Sequence, residues 1–236
     1  MPGINDQIHV LFGGTFNPVH EGHVGLVRGL AAQPDVKEVM VMPAGQNPFK
    51  TAQNLLPAAL RLEMVRRTFA GWERVRVSDN ELSRQGLSYT VDTLSRLVGE
   101  QPGEWRIAMG EDVFAQFSKW HRADEVMALA GVWVVVRQGP SGAARTVPRD
   151  PEQIRTFLPE QWAARAHEEG GRLVSDEGRE LVRWLDLDLP AVSSSEIMNL
   201  RKLETVPKEA RQLLEAYWSR GEVPLAHPVH TGGKSC

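Results

Sequence analysis

The chain has 236 residues, 42% hydrophobic and 24% charged, ordinary globular values in a length that allows one sizeable α/β domain with a real core. A formal net charge of −3 gives no basic footprint for nucleic acid, so any affinity for a polyanion must be local. Its one cysteine, Cys236, excludes an intramolecular disulfide framework; no apolar run is long enough to span a membrane and no secretory segment follows Met1, so a cytoplasmic protein is expected.

The first element is the apolar run His9–Phe12, which reads as a buried parallel strand ending in Gly13-Gly14. The glycine pair is expected to let the backbone turn sharply and to let another group approach it closely. Thr15, Phe16, Asn17, His20 and His23 follow, and then an apolar-periodic segment (Val24, Leu26, Val27, Leu30) that reads as a helix. A strand, a polar turn and a helix start form an anion site, because N–H groups and the positive end of the helix dipole point at it. His20 and His23, three residues apart, can face the same anion. This is chemistry suited to a phosphate, although the generic dinucleotide fingerprint G-x-G-x-x-G does not follow the strand.

Residues 38–43 read as a second strand entering the loop 44–50, which ends at Lys50. Residues 57–69 have helical spacing through Leu60, Met64, Val65 and Thr68, with Arg61 on a different side. A third strand is expected at 75–78, and Gly86–Thr90 leads into a helix carrying Val91, Leu94, Leu97 and Val98. The strand 105–109 ends at Gly110-Glu111-Asp112, 113–130 holds one or two helices interrupted near Trp120, and 131–136 is a central strand. Strands alternating with helices predict an α/β fold with a doubly wound, mostly parallel, Rossmann-like sheet, in which ligands bind beyond the carboxyl ends of the strands.

Further on, 138–151 reads as an exposed loop, 152–168 as a loosely periodic helix and 184–189 as a strand whose Asp186 and Asp188 are solvated rather than metal ligands. Ser193–Glu196 is a capping box opening a helix, and Pro207 at the first helical position starts a final amphipathic helix with Ala210, Leu213, Leu214, Tyr217 and Trp218 on one face. The expected organisation is one domain over 1–222 with a small C-terminal helical part, an insertion or extended segment at 140–185, and a flexible tail at 223–236.

The stretch Gly13-Gly14-Thr15-Phe16-Asn17-Pro18-Val19-His20-Glu21-Gly22-His23 resembles the HxGH nucleotidyltransferase superfamily, and within it the bacterial nicotinate-nucleotide adenylyltransferases. Three further blocks resemble the same family: Glu81-x-x-Arg84-x-Gly86-x-Ser88-Tyr89-Thr90, Gly110-Glu111-Asp112 and Lys119-Trp120. The resemblance covers 9–137 and about 192–218. It implies the nucleotidyltransferase fold and transfer of AMP from ATP to nicotinate mononucleotide, giving deamido-NAD and pyrophosphate. Magnesium (Mg2+) is implied as a passenger on the ATP phosphates rather than in a carboxylate cage.

By the same resemblance His20 and His23 act at the α-phosphate, and Lys50 reaches a phosphate as a point charge. Gly13, Gly14, Thr15, Phe16, Ser193, Ser194 and Ser195 are implied on the ATP side. Asn17, Tyr89, Thr90, Asp112 and Trp120 are implied on the acceptor side: the helix start near Thr90 for the nicotinate carboxylate, Asp112 for ribose, Trp120 stacked on the pyridine ring. Two positions depart from the family pattern. Phe49 replaces the histidine before Lys50, and Met198 stands where S-S-T-x-(I/L)-R has its arginine. Arg201, about 4.5 Å further along the same helical face, is expected to take over that phosphate contact. No nucleic acid, membrane or protein-bound metal is expected, and the oligomeric state stays open, with a homodimer one option. The alternatives are the same reaction on nicotinamide mononucleotide or phosphopantetheine, or a non-catalytic nucleotide-binding module on the same fold.

Overall fold

The computed structural model describes residues 8–45, 55–84, 86–137 and 149–220. Ile8–Gly14 (β1) leads to Glu21–Ala31 (α1), Val36–Pro43 (β2), Ala58–Thr68 (α2), Val75–Val77 (β3), Thr90–Glu100 (α3) and Trp105–Gly110 (β4). Glu111–Phe114 (α4), Ala123–Leu129 (α5), Gly131–Arg137 (β5), Pro151–Arg155 (α6) and Glu160–Ala163 (α7) come next. Ala166–Glu169 (β6), Arg172–Ser175 (β7) and Glu180–Leu187 (β8) precede Ser194–Leu200 (α8) and Lys208–Ser219 (α9).

The strands form one sheet in the order β3-β2-β1-β4-β5-β8-β7-β6. From β3 to β8 every neighbour is parallel, while β7 and β6 are added antiparallel at one edge. The order reverses between β1 and β4, and at such a switch the connections leave in opposite directions and open a crevice beyond the strand ends. Alternation along β1 divides the core. Val10 and Phe12 pack on the face covered by α1, α2 and α9, and Leu11 on the face covered by α3 and α5. Burial on both faces explains why the central strands read as unbroken apolar runs, Val132–Val136 most clearly.

The single helix expected at 152–168 needs correction. The segment 152–168 is not one helix: two short helices, α6 and α7, are followed by β6. The 140–185 segment, from 149 onward, extends the sheet, with β6 and β7 joined by a two-residue turn at Gly170-Gly171 whose φ values are both positive (57° and 79°). A Gly-Gly pair between short extended runs is a hairpin signal, and here the runs are only four residues each and partly exposed, so periodicity was silent. The strand expected at 184–189 is β8, which begins four residues earlier. Asp186 in it pairs with Arg149. Pro207 is the residue before α9 rather than its first. Gly221, which reads in the sequence as the stop of the final helix, the 223–236 tail, Cys236 and the loop bearing Phe49 and Lys50 lie outside the described residues. No helix among the described residues is long and apolar enough to cross a membrane.

Candidate active site

A cavity of about 560 Å³ opens at the carboxyl ends of β1 and β4, in the crevice the sheet order creates. One wall is the end of β1 with Gly13, Gly14 and Thr15; another is the end of β4 with Asp112 just beyond it. Tyr89 and Thr90, at the start of α3, and Trp120 with His121 close the third side. Seven of the expected residues therefore meet around one space. A Cβ at Gly13 would encounter nothing within 4 Å, so this strand end leaves room for a ligand to lie against the backbone.

The turn after β1 is not made by the glycines, which is a correction. Gly13 and Gly14 complete the strand, and the chain reverses at Phe16 (φ 48°) and the cis Asn17-Pro18 peptide. A left-handed backbone costs a non-glycine residue about 1–2 kcal/mol. The Phe16 ring offsets this by burial (1% exposed), edge-on against Phe12 at 5.6 Å. Phe16 is thus an anchor in the core. Asn17 is likewise engaged: its Oδ1 accepts from the Leu56 N–H at 2.7 Å, bracing the turn against the entry to α2. Neither residue is in the cavity wall.

His20 and His23 start α1. His20 occupies the cap position with extended backbone, and its N–H donates to His23 Nδ1 at 3.2 Å. The two rings stack at 3.7 Å between centroids, and His23 also leans on Phe16 at 4.8 Å. A Cβ at position 22 would sit 3.0 Å from His20 Nδ1, so the glycine of H-x-G-H is what lets the first ring fold against the helix. His20 is buried (3% exposed) and His23 half-buried. With Nδ1 of His23 accepting, the neutral ring carries its proton on Nε2, the opposite edge. Neither ring is among the residues that line this cavity.

The start of α8 is fastened to the same turn. The Ser194 hydroxyl donates to Pro18 O at 3.0 Å, and Ser193 caps the helix by accepting from Glu196 N–H at 3.2 Å. Ser194 thus ties α8 to the turn before His20, and none of Ser193, Ser194 and Ser195 lines the cavity. Arg201 does not reach that turn. α8 ends at Leu200, and Arg201 turns out of the helix in a left-handed conformation (φ 50°) with its guanidinium 4.4 Å from the Trp218 ring. The expected continuation of one helical face through Met198 to Arg201 is broken at the cap, and Met198 itself packs on the apolar core.

Around the acceptor side, α3 buries Val91, Leu94 and Leu97, which aims its first turn and Thr90 at the cavity. Trp120 is held at 5.3 Å from Phe117, and the Tyr89 and His121 rings meet at 4.3 Å. Two groups were missed by sequence reading. Glu81 lines the cavity; burial pushes its carboxyl above the ordinary range, opposed by hydrogen bonds from Gly45 N–H and Thr93 Oγ1 and by the charge of Arg84. Its only sequence signal was its place in the block ending at Thr90. Arg61 is 3% exposed, with its guanidinium on the carbonyls of Thr15, Ala44 and Leu56. Burial pushes it below the usual guanidinium range, but an arginine stays charged at physiological pH. Nothing in helical periodicity marks it. Among the described residues no group of three or more His, Cys, Asp or Glu side chains is placed to hold a metal.

The model of the cytidylyltransferase-like family matches residues 11–200. A Synechococcus protein named as a probable nicotinate-nucleotide adenylyltransferase is 38% identical over 138 residues, 58% of this chain and 68% of its own length. The Aquifex aeolicus protein of the same name is 34% identical over 154 residues, 65% of this chain and 88% of its own. The structure of Plasmodium falciparum nicotinic acid mononucleotide adenylyltransferase complexed with NaAD superposes with a TM-score of 0.63, covering 89% of this chain and 96% of that one. At 13% identity, this last likeness is one of fold.

Proposed function

Because the chain belongs to the cytidylyltransferase-like family, and within it to the nicotinate-nucleotide adenylyltransferases, we propose that it transfers the AMP moiety of ATP to nicotinate mononucleotide, giving deamido-NAD and pyrophosphate in NAD biosynthesis. The observation that carries this reading is the cavity between β1 and β4, which places a glycine strand end beside an indole and a helix start. An oxygen of the acceptor's phosphate attacks the α-phosphorus of ATP. A new P–O bond forms as the bond to the β-phosphate oxygen breaks, and pyrophosphate leaves with the electron pair.

Such a transfer calls for positioning and for donors aimed at developing charge more than for covalent chemistry. His23 supplies an Nε2–H at the edge of the turn, and His20 fixes it there through the backbone hydrogen bond and the ring stack. Gly13, Gly14, Thr15 and the Phe16 backbone border the donor phosphates, with Ser193, Ser194 and Ser195 alongside and Lys50 as a further point charge. The first turn of α3 at Thr90 offers N–H groups and its dipole to the nicotinate carboxylate. Trp120 gives the electron-poor pyridinium an indole face, Tyr89 borders the same ring, and Asp112 accepts from ribose hydroxyls. Mg2+ carried on the ATP phosphates would shield their charge.

The test is release of pyrophosphate and formation of deamido-NAD by the purified chain given MgATP and nicotinate mononucleotide, with nicotinamide mononucleotide in parallel. Turnover with preference for the acid is expected. No turnover, or preference for the amide, would overturn the assignment.

A further inference from the structure

On the reading that the turn after β1 borders the donor phosphates, we propose that Arg61 is a positioning residue that orients the peptide between Thr15 and Phe16 so that its N–H faces those phosphates. Arg61 Nη1 donates to Thr15 O at 2.7 Å and to Ala44 O at 3.0 Å, and Nε donates to Leu56 O at 3.2 Å. In a planar trans peptide, the C=O of one residue and the N–H of the next point in opposite directions. Drawing Thr15 O onto Arg61 therefore turns the Phe16 N–H away from Arg61. Thr15 is in the cavity wall and Arg61 is outside it, so away from Arg61 is toward the ligand.

A second peptide on the same guanidinium behaves in this way. The Ala44 carbonyl is held by Arg61, and the Gly45 N–H at its other end reaches Oε2 of Glu81, a cavity residue, at 3.4 Å. Asn17 completes the brace by taking the Leu56 N–H. Three segments that are distant in sequence, the β1 turn, the residues after β2 and the entry to α2, are thus joined at one side chain. A planar fork of donors serves three carbonyls at once, which the single ammonium of a lysine does not. The arrangement also leaves a full positive charge buried directly behind the turn.

The experiment compares the whole chain with Arg61→Lys and Arg61→Met by calorimetric titration with the α,β-methylene analogue of ATP and with adenosine. The two ligands share base and ribose, so the ratio of their affinities isolates what the phosphates contribute. Adenosine binding is expected to be preserved, and the analogue to bind about 10–100-fold more weakly in both variants, the size of a lost hydrogen bond to a charged group. Lysine, which keeps the charge but not the fork, restores only part of the loss. Equal losses for the two ligands, or an analogue affinity unchanged in Arg61→Met, would overturn the proposal. The wild-type chain gives a second readout that needs no variant: inorganic pyrophosphate must shift the Phe16 amide resonance, and an unshifted resonance would also overturn it. A wild type that binds the analogue and turns over, beside variants that match it, defeats the role of Arg61 alone. A wild type that does neither defeats the proposed function instead.

Discussion

The two ends of the sheet handle charge in opposite ways. At the amino end, Glu180 of β8 is 7% exposed and fully engaged. Oε1 accepts from Trp133 Nε1 at 2.9 Å and from Arg106 Nε at 3.2 Å, while Oε2 meets Arg183 at 2.7 Å and Arg172 at 3.2 Å. Arg183 also bridges to Asp35 at 2.9 Å and lies 4.9 Å from the Trp133 ring centre. These contacts join β4, β5, β7, β8 and the turn before β2. At the carboxyl end β4, together with β1, borders open space, with a carboxylate, an indole and a helix start around it. One end spends its polar groups on itself, and the other keeps them for a ligand. Stability and function are therefore separable by mutation along the length of a single strand.

The sharpest way to break that contrast is Glu180→Gln. Removing the carboxylate shared by three arginines leaves Arg106 and Arg183 only their more exposed partners Glu104 and Asp35, a loss of up to about 3–5 kcal/mol. A large fall in unfolding midpoint is expected, with turnover per folded molecule unchanged. Loss of turnover at full stability would mean that the two ends are coupled. The same residue sets a pH limb. Burial alone would push the Glu180 carboxyl up, but hydrogen bonds from Trp133 and Arg183 and the charges of Arg183 and Arg106 outweigh it, so its pKa lies below the ordinary value. A carboxyl depressed by folding stabilises fully above its unfolded pKa of about 4.3, and that contribution is lost as pH falls through the lower folded value. Acid unfolding of wild type should show this limb below about pH 4, and Glu180→Gln should lack it.

At the other end, Trp120→Ala is expected to raise KM for nicotinate mononucleotide about tenfold, from losing a desolvated indole–cation contact of up to about 2 kcal/mol. KM for ATP should hardly move, and an equal rise in both would place Trp120 in packing rather than on the acceptor. The smallest effect belongs to Arg201→Ala. Its contact with Trp218 is worth about 0.5–1 kcal/mol at an exposed site. A small drop in stability is expected with ATP affinity unchanged. A marked loss of ATP affinity would return Arg201 to the phosphates.

The parallel part of the sheet was legible where strands covered on both faces leave unbroken apolar runs, Val132–Val136 above all. The gathering of Gly13, Thr90, Asp112 and Trp120 was legible from topology: Gly13 is in the carboxyl end of β1, Asp112 is just beyond β4, and Thr90 and Trp120 lie in the connections that leave the carboxyl ends of β3 and β4. The β6–β7 hairpin was not, because four-residue runs at an exposed edge carry too little periodicity. Arg61 was invisible for a deeper reason. Its value comes from carbonyls 5, 17 and 46 residues away, and a polar residue on an amphipathic helix is by default assigned to solvent. Phe16 misled in the opposite direction: the glycines before it looked like the turn, while a buried aromatic ring was holding the left-handed residue.

The most direct measurement is the single-turnover rate of AMP transfer in wild type and His23→Ala, at ligand concentrations that saturate both. If the Nε2–H of His23 meets charge that develops on the α-phosphate, the rate falls by about 10²–10³ while affinity for the α,β-methylene analogue of ATP changes little. Equal rates in the two proteins would contradict the account, because the His23 ring would then have no part in the transfer.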